Sequence, residues 1–194
     1  MVPERAGSSR VVSSEAESLI RVDENDNELG FLSKGECHDG DGLLHRAFSV
    51  FLFDPDGRLL IQQRSAEKRL WPLFWANSCC SHPRAGETMA EATERRLLDE
   101  LGVITPLHFI YKFRYQASYE GLGSEHELCW VYVGRVEEFQ LRPNPLELAA
   151  WRFVEPSEVD QLMADPDEPL APWFRLEWNT LQDRYRKEVA DALL

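Results

Sequence analysis

The protein has 194 residues, enough for one domain with a substantial hydrophobic core and too few for two of ordinary size. It carries 21 Lys and Arg against 34 Asp and Glu, a formal net charge of −13, which argues against a general binder of nucleic acid or anionic membranes, since those present a broad basic surface. No apolar run approaches the roughly 20 residues of a membrane-spanning helix, and the first residues lack the apolar core of a secretory signal, so we expect a cytoplasmic protein.

The first half of the chain predicts mainly strands. Residues 1–16 are rich in Ser, Arg, Glu and Gly without periodicity, so we expect a flexible tail before a domain over 17–194. A short strand over 19–23 is followed by a turn over 25–30 and a polar loop over 34–42. Two further strands, over 47–53 and 58–64, flank the turn Asp54-Pro55-Asp56-Gly57 and predict a β-hairpin.

The second half mixes strands with helices. A predicted loop holds Trp71, Trp75 and the adjacent Cys79 and Cys80. Thr88 to Glu91 forms a capping box that predicts a helix running to Leu101 and ending at Gly102. Strands over 108–118, 126–136 and 149–154 precede a helix that starts at Pro156 and a terminal helix over 173–192. This order predicts a single α/β domain, a sandwich around a mixed sheet.

The four cysteines are expected to be reduced, because neither the size of the chain nor its N-terminus suggests an oxidised scaffold. Cys79 and Cys80 could bridge each other only through a strained ring. We therefore expect one buried thiol and one that is available for chemistry.

Residues 81–103 resemble the Nudix box, a loop-helix-loop that binds metal-complexed diphosphates, with Glu87, Arg95, Glu100 and Gly102 in its register. Ser81 replaces the opening glycine of the motif, and Arg96 replaces a glutamate that hydrolases use to bind Mg²⁺. An alternative for this helix is an ordinary amphipathic one, in which Arg96 and Glu100 form a surface pair worth about 0.3–0.5 kcal/mol.

The segment 75–83, Trp-Ala-Asn-Ser-Cys-Cys-Ser-His-Pro, resembles the active-site segment of type 1 isopentenyl-diphosphate isomerases, Nudix members that move a double bond instead of cutting a phosphate. The resemblance runs from about residue 19 to residue 178. It implies a Nudix-type α/β/α sandwich and the interconversion of isopentenyl and dimethylallyl diphosphate in isoprenoid biosynthesis.

The resemblance also implies one divalent metal, Zn²⁺ or Mn²⁺, surrounded by three imidazoles and two carboxylates: His38, His45, His82, Glu125 and Glu127. Glu125 and Glu127 are two apart on a predicted strand, so both can leave the same face while His126 points away. The flexible 39–42 segment could fold His38 toward His45. Taken singly, each histidine is more simply explained as a loop residue that binds no metal. Each glutamate is more simply explained as a solvated side chain at the edge of a strand.

Moving the double bond requires an acid and a base on opposite faces of a flat C5 unit, exclusion of water, and an electron-rich group near the developing carbocation. By resemblance, Cys80 stands on one face, Glu127 with Tyr115 stands on the other, and Trp173 offers its π face to the cation. Which group delivers the first proton stays open.

Four cations match positions that contact the diphosphate in this family, and Glu100 matches the ligand of a Mg²⁺ that arrives with it. The cations are Lys34, Arg64, Lys68 and Arg96. Arg96 would thus be an anion clamp where hydrolases keep a metal ligand.

We expect a small-molecule substrate and a monomer or weak homodimer. Two other readings stay open: a Nudix hydrolase that cleaves a nucleoside or prenyl diphosphate, and a non-enzymatic diphosphate-binding module. The module would be expected to have lost Cys80 or Glu127, and both are present.

Overall fold

The computed structural model describes residues 12–194. Its nine strands, in chain order, are β1 Ser18–Val22, β2 Glu28–Ser33, β3 His45–Phe53, β4 Leu59–Arg64, β5 Trp75–Ala76, β6 Cys79–Ser81, β7 Leu107–Tyr119, β8 Gly123–Arg135 and β9 Leu148–Val154. Its five α-helices are α1 Lys34–His38, α2 Met89–Leu101, α3 Pro156–Ala164, α4 Pro172–Arg184 and α5 Arg186–Ala192. A short 3₁₀ helix covers Glu138–Gln140.

The strands form one mixed sheet centred on β3. The path β2-β1-β3-β4-β5 runs across it, β6 and β8 also pair with β3, β7 pairs with β8, and β9 pairs with β4. The β3–β8 pair is parallel, whereas the other named pairs are antiparallel. The prediction of a mixed sheet is confirmed.

Helices cover both faces of the sheet. On one face, apolar side chains of β3, β7 and β8 pack against Trp173, Phe174 and Trp178 of α4. On the other face, Phe48, Val50 and Leu52 of β3 pack against α2. Because side chains alternate along a strand, β3 contributes to both layers, and the result is the predicted α/β/α sandwich in a single domain.

Several predicted elements are confirmed. Asp54 accepts hydrogen bonds from the main-chain N–H groups of Asp56 and Arg58, at 3.0 and 2.8 Å, and so closes the hairpin turn between β3 and β4. Helix α2 has the predicted capping box of Thr88 and Glu91, and it ends at Gly102 with φ of 70°.

Other predictions were wrong in detail. The polar loop over 34–42 begins with α1, because Ser33 and Glu36 form a capping box. The Trp75 to Ser81 region contains strands β5 and β6, because Cys79 and Cys80 pair with β3. The predicted turn over 25–30 is shorter, because β2 starts at Glu28. The terminal helix is interrupted at Tyr185, which has non-helical backbone angles.

The predicted tail spans residues 1–16, of which 1–11 lie outside the described residues. Val12 is buried, and its main-chain N–H donates to Glu147 at 2.9 Å. Residues 12–16 therefore include a contact with the body of the protein. Among the described residues, no helix is long and apolar enough to cross a membrane.

Candidate active site and metal centre

The five side chains expected to bind a metal come together inside the protein. Each offers a ligand atom, these atoms all lie within 4.8 Å of one another, and all five residues are buried: His38, His45, His82, Glu125 and Glu127. They arrive from α1, from the start of β3, from the residue after β6 and from β8. The fold thus gathers donors that lie up to 89 positions apart.

The sheet register explains this convergence. His45 is opposite Glu127 in the parallel β3–β8 pair, and Glu125 projects from the same face of β8 as Glu127. His38 reaches them because the chain after α1 passes close to the start of β8. A Cβ added to Gly123 would overlap with the carbonyl oxygen of His38, so this approach depends on glycine.

The hydrogen bonds of His38 and His45 indicate which ring nitrogen of each could bind a metal. The Nδ1 atoms of His38 and His45 each lie 2.7 Å from a main-chain carbonyl oxygen, that of Lys34 and that of Leu43. A carbonyl oxygen can only accept, so each Nδ1 donates, and in the neutral ring Nε2 keeps its lone pair. Burial and the neighbouring His38 lower the pKa of His45 to about 3, so that imidazole is neutral.

Two observations fit a divalent cation at this position. The buried Nε2 atom of His45 has no hydrogen-bond partner in the described part of the chain. The Nε2 atoms of His38 and His82 point at carboxylate oxygens of Glu125 and Glu127, at 2.8 and 2.9 Å. Three imidazoles and two carboxylates that converge on one buried position form a donor set that suits a divalent metal accepting nitrogen and oxygen ligands.

The two carboxylates also need positive charge. Burial and the neighbouring Glu125 raise the pKa of Glu127 well above its ordinary value, because two adjacent charges are costly away from water. Tyr115 donates its hydroxyl to Glu127 at 2.8 Å, and burial raises the pKa of that phenol. Glu127 therefore links the metal ligands to a buried phenol.

Cys80 lies on β6 and is partly exposed, whereas Cys79 is fully buried against α2. The Cys80 thiol donates to Asn77 Oδ1 at 2.7 Å and accepts the indole N–H of Trp173 at 3.1 Å. Asn77 is oriented by donating to the carbonyl oxygens of Val50 and Cys79. All four cysteines are free thiols.

One pocket connects these groups. Its wall includes every residue that the sequence suggested as a catalytic or diphosphate-binding group: Lys34, Arg64, Lys68, Cys80, Arg96, Tyr115, Glu127 and Trp173. Four cations therefore face the same space as a thiol and a carboxylate, in a chain whose net charge is −13.

In this structure the four cations have protein partners. Lys34 donates to the Ser13 hydroxyl at 2.7 Å, and Arg64 donates to the carbonyl oxygens of Leu70 and Trp71, at 2.9 and 3.0 Å. Lys68 is paired with Glu147. The guanidinium of Arg64 also lies 5.1 Å from the ring centre of Trp173.

The alternative of a surface Arg96–Glu100 pair was wrong. Arg96 Nε donates to Glu100 at 2.9 Å, and both side chains are buried at the end of α2, with Arg96 only 2% exposed. A further Arg96 nitrogen donates to the Val12 carbonyl oxygen at 2.9 Å. Glu100, the residue expected to bind Mg²⁺, is therefore paired with Arg96 in this structure and is not among the residues that line the cavity.

Sequence reasoning missed four residues around the site: Ser49, Asn77, Glu147 and Glu177. Ser49 and Asn77 contact Cys80, while Glu147 accepts from Lys68 and from the main chain at Val12. Of these four residues, only Glu177 stands out in the sequence pattern. It is a charged residue on the apolar stripe of α4, four positions after Trp173.

Comparison with known proteins agrees with the fold. The NUDIX domain model matches residues 43–174. A crystal structure of a Deinococcus radiodurans protein superposes with a TM-score of 0.70 at 21% identity, covering 84% of this chain and 98% of that one. A MutT protein from Methanosarcina mazei gives a TM-score of 0.61 at 16% identity, covering 74% of this chain and 96% of that one. The fold and the buried site thus define a NUDIX-domain protein.

Three curated relatives narrow the family. Isopentenyl-diphosphate Delta-isomerase 1 of Photorhabdus laumondii is 40% identical over 88% of this chain and 98% of its own length. The isomerase of Nocardia farcinica is 43% identical over 87% and 96%. That of Schizosaccharomyces pombe is 39% identical over 91% and 86%. The chain belongs to the isopentenyl-diphosphate Delta-isomerase family.

Proposed function

We propose that this protein interconverts isopentenyl diphosphate and dimethylallyl diphosphate, a step of isoprenoid biosynthesis, with Cys80 and Glu127 exchanging protons with the substrate. The observation that carries the proposal is the single cavity lined by Cys80, by the Tyr115–Glu127 pair and by four cations. A thiol and a carboxylate share this space with enough positive charge for a diphosphate.

The reaction adds a proton to the terminal carbon of the substrate alkene and removes one from the carbon on the other side of the branch point. The intermediate state resembles a tertiary carbocation, which water would trap. A buried site with separate acid and base groups meets this requirement, because each group can be held in the protonation state that it needs.

On one side, Cys80 is the group that touches the C5 unit. Burial raises the pKa of its thiol, so it holds a proton at neutral pH. The indole N–H of Trp173 donates to the same sulfur and stabilises negative charge on it after proton loss. The indole ring of Trp173 lines the cavity, and its π face stabilises the carbocation.

On the other side, Glu127 and Tyr115 handle the second proton, which either group can hold because the Tyr115 hydroxyl donates directly to Glu127. Three imidazoles and two carboxylates would hold one Zn²⁺ or Mn²⁺: His38, His45, His82, Glu125 and Glu127. When bound, the metal supplies positive charge that fixes Glu127 and makes the Tyr115 proton more available.

Lys34, Arg64, Lys68 and Arg96 bind the diphosphate, and Glu100 would hold the Mg²⁺ that accompanies it. In this structure the four cations donate to carbonyl, hydroxyl and carboxylate oxygens of the protein. A bound diphosphate would take the place of these acceptors. Arg96 stands where Nudix hydrolases keep a metal-binding glutamate. The diphosphate is therefore a handle for binding, and it is not cleaved.

The remaining expectations concern the binding partners, the location and the oligomeric state of the protein. We propose that the substrate is the small-molecule partner and that no nucleic acid or membrane is needed. A cytoplasmic location and a monomer or weak homodimer stay predictions.

The function is tested by incubating the purified protein with isopentenyl diphosphate, Mg²⁺ and Mn²⁺ or Zn²⁺ in ordinary water. Proton NMR should show the two methyl signals of dimethylallyl diphosphate, while a phosphate assay stays at background. Phosphate release would favour a hydrolase, and a substrate unchanged under every metal condition would favour a binding module. The Cys80→Ala variant is the matched control for background conversion.

A further inference from the structure

The segment that joins β4 to β5 holds a buried tryptophan whose backbone is strained. Trp71 has a φ of 46° and Leu73 a φ of 62°, in the left-handed region that residues other than glycine rarely adopt. Trp71 is only 5% exposed, yet it is not among the residues that line the cavity with Cys80 and Trp173. Strain of this kind persists only where surrounding contacts enforce it, and it clusters at functional sites.

Hydrogen bonds fasten this segment to the end of β4. The main-chain N–H of Arg64 donates to the carbonyl oxygen of Phe74 at 2.9 Å, and the N–H of Leu73 donates to the carbonyl oxygen of Arg64 at 3.2 Å. The Arg64 guanidinium donates to the carbonyl oxygens of Leu70 and Trp71, at 2.9 and 3.0 Å. Arg64 thus holds the strained turn with both its main chain and its side chain.

The ring of Trp71 packs directly against Trp173. The two indole rings are edge-on, with ring centres 5.4 Å apart and planes at 89°. Trp71 also packs against Tyr119, with ring centres 5.2 Å apart. Aromatic pairs prefer edge-to-face geometry, so a neighbour that is itself fixed favours one orientation of the ring it touches. Trp71 therefore restricts rotation of the Trp173 ring.

The orientation of Trp173 matters because the ring has two contacts to keep. Its Nε1 atom lies 3.1 Å from the sulfur of Cys80, and the Arg64 guanidinium lies 5.1 Å from its ring centre. Hydrogen bonds weaken steeply as the donor turns away from the acceptor, so a rotated ring would lose its contact with Cys80. The same rotation would turn its π face away from the cavity.

We propose that Trp71 is a positioning residue for the isomerisation, whose ring fixes Trp173 in the orientation that serves both Cys80 and the carbocation. Its main-chain carbonyl also ties this aromatic pair to Arg64, one of the cations proposed to bind the diphosphate. The two ends of the substrate therefore meet groups that are held in one rigid unit. Small displacements of such groups have large effects on rate, because the reacting atoms must be aligned. This inference rests on the proposed function.

The test compares Trp71→Leu with Trp71→Phe in the full chain. Leu offers no ring edge, so we expect kcat to fall about 10- to 100-fold. Phe restores an aromatic edge and should keep kcat within about threefold of the wild type. KM should stay within about twofold in both variants, because the carbonyl oxygen that Arg64 contacts belongs to the main chain and survives the substitution.

Trp151→Leu is the matched control. Trp151 lies on β9 and also makes an edge-on aromatic contact, with Phe153 at 6.4 Å, but it packs with the apolar cluster on the other face of the sheet. This variant should keep the kcat of the wild type.

Binding of magnesium pyrophosphate, measured by titration calorimetry, separates positioning from a general loss of structure. Trp71→Leu should bind pyrophosphate as tightly as the wild type, because the contact between Arg64 and the main chain is retained.

The link through Trp173 is tested by combining variants. Trp173→Phe has no N–H, so the part of the Trp71 effect that acts through this group is already lost. Adding Trp71→Leu to Trp173→Phe should therefore lower kcat by less than the product of the two single losses.

The outcomes separate this inference from the function itself. An inactive wild type would refute the function. In an active enzyme, the positioning role is refuted by a folded Trp71→Leu variant with wild-type kcat, by an equal loss in Trp71→Phe, or by losses that multiply with those of Trp173→Phe. A raised KM and weaker pyrophosphate binding would show a purely structural role instead. Should Trp71→Leu not fold, Trp71→Met takes its place with the same expected loss, because its flexible side chain adapts to the space.

Discussion

The indole N–H of Trp173 points at the sulfur of Cys80, with 3.1 Å between Nε1 and Sγ. The two residues lie 93 positions apart, on α4 and β6, and the indole is held edge-on against Trp71, with ring centres 5.4 Å apart. In the proposed reaction, this contact gives Trp173 a second role beside that of its π face, because an N–H donor would stabilise a thiolate on Cys80.

Replacing Trp173 by Phe separates these two roles. Phe keeps an aromatic face but has no N–H, so the loss reports mainly on the hydrogen bond. We expect kcat to fall roughly tenfold, since a hydrogen bond to a charged group contributes about 1.5 kcal/mol or more. Steady-state kinetics checks this. A Trp173→Phe variant with wild-type kcat would show that the N–H contributes nothing.

Removing the thiol of Cys80 and that of Cys79 should affect turnover very differently. Cys80→Ala should nearly abolish turnover, because it removes a group that exchanges a proton with the substrate. Cys79→Ala should retain most activity, since its side chain packs against α2 on the other face of the sheet. Both variants need a melting curve, because Cys79 is fully buried. Full activity in Cys80→Ala would refute the assignment.

The five-residue cluster should bind one divalent metal per chain. His82→Ala should lose that metal, measured by elemental analysis after dialysis, because it removes one of three imidazole ligands. His126→Ala is the matched control, since His126 lies between the two carboxylates in sequence but points away from them. Equal metal content in both variants would contradict the site.

A chelator tests the same cluster through stability. Removing the metal should lower the melting temperature of the wild type, because the buried carboxylates and imidazoles lose their common counter-ion. The His82→Ala variant should show a smaller change. An unchanged melting temperature in the wild type would show that the cluster is stable without a cation.

Glu147 should matter for stability above pH 4.5. Burial opposes its charged form, but Lys68 and then Arg96 outweigh burial and hold its pKa below 4.5. A lowered pKa stabilises the fold above the unfolded-state value, and the contribution disappears as pH falls through the folded-state pKa. Glu147→Gln should therefore cost about 3 kcal/mol at pH 7, and the difference from wild type should shrink below pH 4.5.

Glu158→Gln is the control for this prediction. Glu158 pairs with Arg152 at 2.5 Å, but both side chains are more than 40% exposed, so the change should cost less than about 1 kcal/mol. Urea unfolding of both variants across pH gives the comparison. Equal costs at pH 7, or a Glu147→Gln cost that does not change with pH, would contradict the assigned ion pair.

The layered fold was predictable because its signals are local. The Asp54 turn and the Thr88 capping box each mark an element boundary within four residues. Helix α1 carried the same kind of signal, Ser33 followed by Glu36, and was missed because the helix has only five residues and no apolar stripe. Strand β6 could not be predicted, since its three residues are defined by pairing with β3.

The candidate site was predictable only through the resemblance. Spacing placed Glu125 and Glu127 on one face, but nothing local brings His38 or His82 to them. Glu147 is typical of what was missed. Its burial depends on Lys68, on Arg96 and on a main-chain segment near residue 12, and sequence pattern does not show such distant partners.

The most direct measurement of the central claim is the reaction in D₂O with isopentenyl diphosphate, Mg²⁺ and the cluster metal, followed by NMR. Protonation by exchangeable groups such as Cys80 or Tyr115 predicts dimethylallyl diphosphate with solvent deuterium in the newly formed methyl group and no free phosphate. Dimethylallyl diphosphate without deuterium would contradict the proton exchange, and free phosphate in its place would contradict the isomerase itself.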